Sequence, residues 1–265
     1  MVHFVGAGPG AEDLITVRGM RLLSKADVII YAGSLVNPKL LDYAKQECEI
    51  HNSAAMTLEE VMAVIEQAEK RGRMTVRLHT GDPSVYGAVR EQMDRLEELG
   101  IAYDSCPGVS ACFGAAADMN LEYTLPGVAQ SLIITRMEGR TKVPEKEQIE
   151  RLAAHQTSMA IYLSAGMLEQ LAERLMAGGY PKETPAAIVY KATWPEEKVL
   201  RCTLESLADT GREHDIRNTA LVLVGNVIAS QGVGERANQY ERSKLYDPDF
   251  ETGYRPACSK TLNTK

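Results

Sequence analysis

The stretch His79-Thr80-Gly81-Asp82-Pro83-Ser84-Val85-Tyr86-Gly87 decides how this chain is read. It follows Met74-Thr75-Val76-Arg77-Leu78, an apolar-alternating run that predicts a β-strand ending in a loop. Gly81 can take backbone angles closed to other residues and lets a ligand approach the main chain. Asp82 places an acceptor at the strand's carboxyl end, where open α/β sheets bind their ligands. Pro83 suits the first turn of a following helix, because the N–H it lacks would be unpaired there. A tight turn that merely starts a helix would carry the same residues, so the reading needs the neighbouring segments.

Upstream, Val2-His3-Phe4-Val5 runs into Gly6-Ala7-Gly8-Pro9-Gly10. The next helix is predicted to be capped by Thr16, with Val17, Met20 and Leu23 on its apolar face. A buried strand is predicted over 27–31, and Asn37-Pro38 starts another helix as cap and first position. Thr57-Leu58-Glu59-Glu60 is a capping box, and Val61, Val64, Ile65 and Ala68 follow at helical spacing. Downstream of the central loop, a helix over 85–99 stops at Gly100, and a short strand over 101–106 ends at Pro107-Gly108. This alternation predicts an α/β fold whose first sheet is mostly parallel, with helices on both faces.

The second half predicts strands at 131–135, 159–163, 186–190, 199–202 and 220–224, with helices at 146–154, 167–177 and 204–211. No helix fits between the strands at 186–190 and 199–202, so they are expected to pair antiparallel and make the second sheet mixed. The expected organisation is an N-terminal α/β domain over 1–115, a C-terminal α/β domain over 116–230 and a tail over 231–265. The boundary falls between Ala115 and Leu125, and the polar tail carries Tyr240, Tyr246, Phe250 and Tyr254.

The chain has 265 residues, 45% of them hydrophobic, and a net charge of −7. That balance argues against a nucleic-acid or anionic-membrane surface as the main role. The five cysteines form no Cys-x-x-Cys pair and the five histidines no His-Glu-x-x-His spacing, so no metal site is expected. Scattered cysteines, no charged leader before an apolar run and no long apolar stretch lead to the expectation of a soluble, cytoplasmic protein.

Gly6-Ala7-Gly8-Pro9-Gly10-Ala11 is close to a dinucleotide-binding fingerprint. Pro9, however, removes a backbone donor from a loop that needs donors for a pyrophosphate. The acid expected at the tip of the second strand is missing as well, since that strand ends in Tyr31-Ala32-Gly33-Ser34.

Taken together, these segments resemble the tetrapyrrole (corrin-pathway) methyltransferases. The first signature is Gly6-Ala7-Gly8-Pro9-Gly10 with Asp13-Leu14-Ile15-Thr16-Val17-Arg18-Gly19. The second is Gly81-Asp82-Pro83, Tyr86-Gly87 and Pro107-Gly108-Val109-Ser110-Ala111. Within the family the chain is most similar to the precorrin-4 / cobalt-precorrin-4 C11-methyltransferases. That likeness runs through residues 135–141, 190–195 and 241–246. Ala88 follows Tyr86-Gly87 where uroporphyrinogen-III methyltransferases usually have Arg, which argues against that substrate.

The resemblance implies two α/β domains with S-adenosylmethionine in the cleft between them, S-adenosylhomocysteine as product, and a homodimer. Carried over by motif, the cofactor contacts are Pro9, Thr80, Gly81, Asp82, Val85, Ser110 and Ala111, with Leu163 and Ala192 from the second half. Substrate contacts are Arg136, Arg140 and Lys191, which suit the carboxylates of a precorrin, and Ser34 and Tyr86 near strand ends. His79 and Asp82 are the nearest titratable groups, although no nucleophile–base pair is visible and the catalytic residue stays unassigned. The implied reaction is S-adenosylmethionine-dependent methylation of (cobalt-)precorrin-4 at C11, with no metal of the protein's own. Methylation of another precorrin ring carbon or of uroporphyrinogen-III, a non-catalytic corrinoid carrier or sensor, and an NAD-dependent oxidoreductase are the alternatives.

Overall fold

The computed structural model describes residues 1–229 and 240–258, the side chain of Ser34 excepted. Much of the tail expected over 231–265 therefore lies outside the described residues. The chain forms two compact units. The first is Met1–Met119 with Val189–Val199 and Thr219–Leu221; the second is Asn120–Ile188, Leu200–Asn218 and Val222–Lys265. Two short segments from late in the sequence thus complete the first unit.

The first sheet contains β1 (Val2–Gly6), β2 (Val28–Tyr31), β3 (Glu49–Asn52), β4 (Thr75–His79) and β5 (Tyr103–Cys106). Their order is β3-β2-β4-β1-β5, and every pairing is parallel. Its helices are α1 (Val17–Leu23), α2 (Leu58–Lys70), α3 (Arg90–Glu98) and α4 (Ala111–Met119). Side-chain alternation sends Val5, Ile29, Val76 and Leu78 to one face, where they pack with Leu23 and Leu40. Val2, Phe4, Val28 and Ile30 point the other way and meet Val61 and Ile65 of α2 and Leu96 of α3. Both faces are covered, so every residue of β1 and β4 is buried.

Several local expectations hold. Thr16 caps α1 by accepting from the Gly19 N–H at 3.0 Å. Both halves of the Thr57–Glu60 capping box form, at 2.7 and 3.3 Å. Others need correction. Leu23 faces the core as expected, but Val17 is exposed and Gly19 takes its place against the core. Asn37 does cap Pro38, but the segment Pro38–Tyr43 is a 3-10 turn. The helix expected over 85–99 begins only at Arg90, because Tyr86 and Ala88 take positive φ angles of 55° and 49° that no α-helix accommodates. Strand β3 and helix α4 are additional to the expected elements.

The second sheet contains β6 (Leu132–Arg136), β7 (Ser158–Tyr162), β8 (Pro185–Tyr190), β9 (Lys198–Thr203) and β10 (Ala220–Val224), in the order β6-β7-β10-β8-β9. Strands β6 and β7 run parallel and β7 and β10 antiparallel, so the sheet is mixed. The far ends of β8 and β9 also meet, Leu204 donating to the Thr184 carbonyl at 3.0 Å, as a hairpin requires. Helices α5 (Ile149–Ala153), α6 (Leu168–Ala177) and α7 (Leu207–Glu213) complete this half.

Candidate functional site

In the first sheet, β1 leads toward β2 on one side while its neighbour β4 leads toward β5 on the other. Adjacent strands whose connections depart in opposite directions open a crevice at their carboxyl ends, where α/β sheets bind ligands. The glycines of both signatures meet there. Gly8 and Gly81 form an antiparallel bridge, with φ angles of +81° and +61° that favour glycine. A methyl group on Gly108 would stand 2.2 Å from the Gly81 carbonyl oxygen and 2.7 Å from Gly6 Cα. Three strand-end loops therefore touch backbone to backbone. One on Gly81 would stand 3.5 Å from Ser110 Cα, an ordinary contact, so its glycine is required for conformation and not for space.

Asp82 ties these loops together. One carboxylate oxygen accepts from the Gly108 N–H at 2.8 Å, and the other accepts from the Ser84 N–H at 2.8 Å and the Ser84 hydroxyl. Burial pushes this carboxyl upward, but the hydrogen bonds from Ser84 and Gly108 outweigh it and hold the group below its usual range. Asp82 is thus a loop anchor kept ionised by its donors.

The loop after β1 is closed from above by the loop after β8. Trp194 Nε1 donates to the Pro9 carbonyl at 3.1 Å, and the Ala11 N–H donates to Thr193 Oγ1 at 2.9 Å. A methyl on Gly10 would stand 2.2 Å from Trp194 Cδ1, and Asn37 Nδ2 donates to the Gly10 carbonyl at 2.8 Å. Indole therefore packs directly on Gly10, where no side chain would fit. The Pro9 ring lies against Gly114 of α4.

His79 is buried, with Nε2 lacking a partner among the described residues. Burial and the nearby Arg77 push its imidazole down to about 3, so it stays neutral and is a weak base. A proton-accepting role for His79 does not suit this setting. Glu197 differs: burial, and next the Asp118 carboxylate, push it up to about 7, while it accepts from the Thr193 N–H.

The remaining candidates separate clearly. Thr80, Val85, Ser110 and Ala192 lie in the loops of the first unit and Ala111 opens α4, where a Gly81 methyl would reach its nitrogen at 3.7 Å. Tyr86 is exposed. The Lys191 ammonium lies 5.7 Å from the centres of both the Tyr190 and Trp194 rings and 3.6 Å from Glu196. Ser34 falls in the turn Gly33–Leu35, its side chain outside what is described.

In the second unit, Leu163 is 68% exposed directly after β7 and has a φ of +53°. An exposed leucine in a left-handed conformation is a double outlier of the kind concentrated at binding sites. Arg136, by contrast, spends its guanidinium on its own loop, donating to the carbonyls of Thr141 at 3.1 Å and Lys142 at 2.9 Å. Glu138 pairs with Arg174 at 3.1 Å and Met137 is buried. Arg140, unlike Arg136, is exposed. Sequence reasoning assigned no site role to Trp194, Thr193, Glu197 or Arg77; Thr193 and Trp194 carried a signal, lying in the family-like segment 190–195.

A family model described as Tetrapyrrole (Corrin/Porphyrin) Methylases matches residues 1–208. A cobalt-precorrin-4 C(11)-methyltransferase from Methanocaldococcus jannaschii is 49% identical over 259 residues, 98% of this chain and 97% of that protein. The X-ray structure of a cobalt precorrin-4 methyltransferase superposes with a TM-score of 0.84 at 42% identity, covering 86% of this chain and 95% of that one. A uroporphyrin-III C-methyl transferase from Thermus thermophilus, solved with S-adenyl homocysteine, gives 0.74 at 26% identity, covering 88% and 96%. With both signatures built into one cluster of strand-end loops and the match running through most of its length, the chain belongs to the tetrapyrrole (corrin/porphyrin) methylase family.

Proposed function

We infer that this protein methylates cobalt-precorrin-4 at C11, with S-adenosylmethionine as methyl donor. One structural observation carries the reading: the glycine loops at the switch point close on one another and on Trp194, leaving small residues and backbone there. Gly81 beside Ser110 and Ala111, with the buried Ala192, suits a folded nucleoside thioether lying against main chain. When bound, S-adenosylmethionine supplies an electrophilic methyl group whose leaving thioether needs no protonation. The protein's task is then to hold the reacting atoms in line. Thr80, Gly81, Asp82, Val85, Ser110, Ala111 and Ala192 would hold the cofactor, with Pro9 shaping the loop beneath and Leu163 of the second unit contributing by motif. Asp82 acts by fixing the Gly81 and Gly108 loops, and neutral His79 keeps a positive charge away from a cationic sulfonium.

Lys191, steadied by two aromatic rings, and Arg140 are the proposed partners for the carboxylates that a precorrin carries. Tyr86 and Ser34 are further proposed contacts, and cobalt enters only as part of the substrate. The proposal includes a cytoplasmic homodimer; among the described residues no helix is long and apolar enough to cross a membrane. The test is turnover of methyl-labelled S-adenosylmethionine with precorrin-4, with and without cobalt, and carbon NMR of the product. Label at C11 with faster turnover of the cobalt form is expected. Label at another carbon moves the substrate assignment, and no transfer to either form overturns it.

A further inference from the structure

Arg77 sits in the middle of β4 and is only 6% exposed. Among the described residues no carboxylate pairs with it, and burial alone pushes it down to about 10. An uncompensated buried guanidinium is costly, and an apolar side chain of similar reach would fill the space more favourably. What Arg77 offers instead is donors. Nη1 donates to the Ile30 carbonyl at 3.0 Å and Nε to Gln92 Oε1 at 3.0 Å. Gln92, also 6% exposed, passes the connection on, its Nε2 donating to the Ala88 carbonyl at 3.0 Å. Arginine can only donate and a carbonyl can only accept, so the residue between them must do both. That requirement fixes the amide's orientation and explains why glutamine stands there.

The far end of this chain of hydrogen bonds is the strained segment after Pro83. Tyr86 and Ala88 both have left-handed φ angles, and a methyl on the intervening Gly87 would stand 2.2 Å from the Pro83 carbonyl oxygen. Two side-chain-bearing residues in that region persist only where surrounding contacts hold them. Ala88 is held from below by Gln92, and Tyr86 projects outward, 46% exposed. We propose that Arg77 and Gln92 are positioning residues, fixing through Ala88 the loop that presents Tyr86 to the tetrapyrrole. The proposal rests on the reading of Tyr86 as a substrate contact.

The test is Gln92→Glu in the full-length protein. Glutamate still accepts from Arg77 and balances its charge, but it has no donor for Ala88. The expected result is an unchanged or higher Tm, faster amide exchange across 84–89, and a KM for the tetrapyrrole raised about tenfold. S-adenosylhomocysteine affinity should change less than the KM for the tetrapyrrole, because Val85 is the one proposed cofactor contact within 84–89. Arg77→Met with Gln92→Met replaces the polar chain by apolar side chains and should show the same loop and KM effects. A merely structural pair would change Tm and leave KM untouched. Amide exchange needs no substrate, so wild-type exchange across 84–89 in both variants overturns the proposal whatever the enzyme methylates. A loosened loop with an unaltered KM also overturns it. A loosened loop in a protein whose wild type methylates no tetrapyrrole supports the relay and fails the functional reading instead.

Discussion

In the first unit, the loops after β1, β4 and β5 meet through bare backbone at Gly6, Gly81 and Gly108. In the second unit, the loops after β6 and β7 are joined through side chains. There the buried Ser164 hydroxyl accepts from the Met137 N–H at 3.0 Å and donates to the Tyr162 carbonyl at 2.8 Å, and Arg136 gathers the carbonyls of its own loop. Backbone contact leaves no slack, because no rotamer can move aside. A side-chain junction can re-form around a change, losing hydrogen bonds but not chain geometry. Both devices fix loops at strand ends, yet they should fail differently.

Gly108→Ala sets the upper limit. Its methyl would meet the Gly81 carbonyl and Gly6 Cα, both backbone, so about 3 kcal/mol or more of overpacking is expected. Calorimetry should show Tm falling by roughly 6–12 °C. A near-wild-type Tm would break the contrast between the units. Ser164→Ala is the matched test in the second unit. It strands the buried Met137 N–H and should cost about 2 kcal/mol in denaturant unfolding.

Asp82→Asn probes the polar bond within the glycine cluster, where about 1–2 kcal/mol should be lost. The wild-type carboxyl is held below its ordinary 3.8 in the folded state. Its stabilising effect is therefore intact above about pH 4 and disappears as the pH falls further, and the Asn variant should lack that acid-side component. Gly81→Ala sharpens the comparison from within. Its methyl has room, so only the +61° φ is strained, at about 1 kcal/mol. Weakened S-adenosylhomocysteine binding by calorimetry, with modest loss of Tm, is the expected pattern.

The smallest effect concerns Glu197. Its carboxyl is pushed from 4.5 to about 7, so the folded state binds the extra proton and loses stability as the pH rises through that interval. Glu197→Gln keeps an acceptor for the Thr193 N–H and removes the charge facing Asp118. Its Tm should vary less than the wild type's between pH 5 and pH 8, and should exceed it at pH 8.

Local chemistry was legible wherever a few adjacent residues decide the structure. The Thr16 and Thr57 caps and strand β10 could be read directly, because each depends on spacing within one or two turns. Strand β3 escaped because Glu49-Ile50-His51-Asn52 has one apolar residue and lies at the sheet edge, where polar side chains are tolerated. The late start of α3 was hidden because neither Tyr86 nor Ala88 announces a left-handed backbone. His79, read as the start of the loop, closes β4 instead and is buried with Arg77, because α2 and α3 cover that face. Pro9 and Trp194, 185 positions apart, are joined by folding alone. The family motifs named loops that the structure brings together at Gly6, Gly81 and Gly108, but the reason for each glycine emerged only from what stands opposite it.

The late segment Val189–Val199 that completes the first unit also sets a timetable for synthesis. All five strands of the first sheet have been translated by Cys106, yet the indole that covers Gly10 arrives with residue 194. At ribosomal rates of about 5–20 residues per second, Gly10 waits roughly 9–37 s for that cover. During that interval the glycine loop emerges into the cell uncovered, and a nascent chain arrested after residue 119 should be more open to protease at 6–11 than the finished protein.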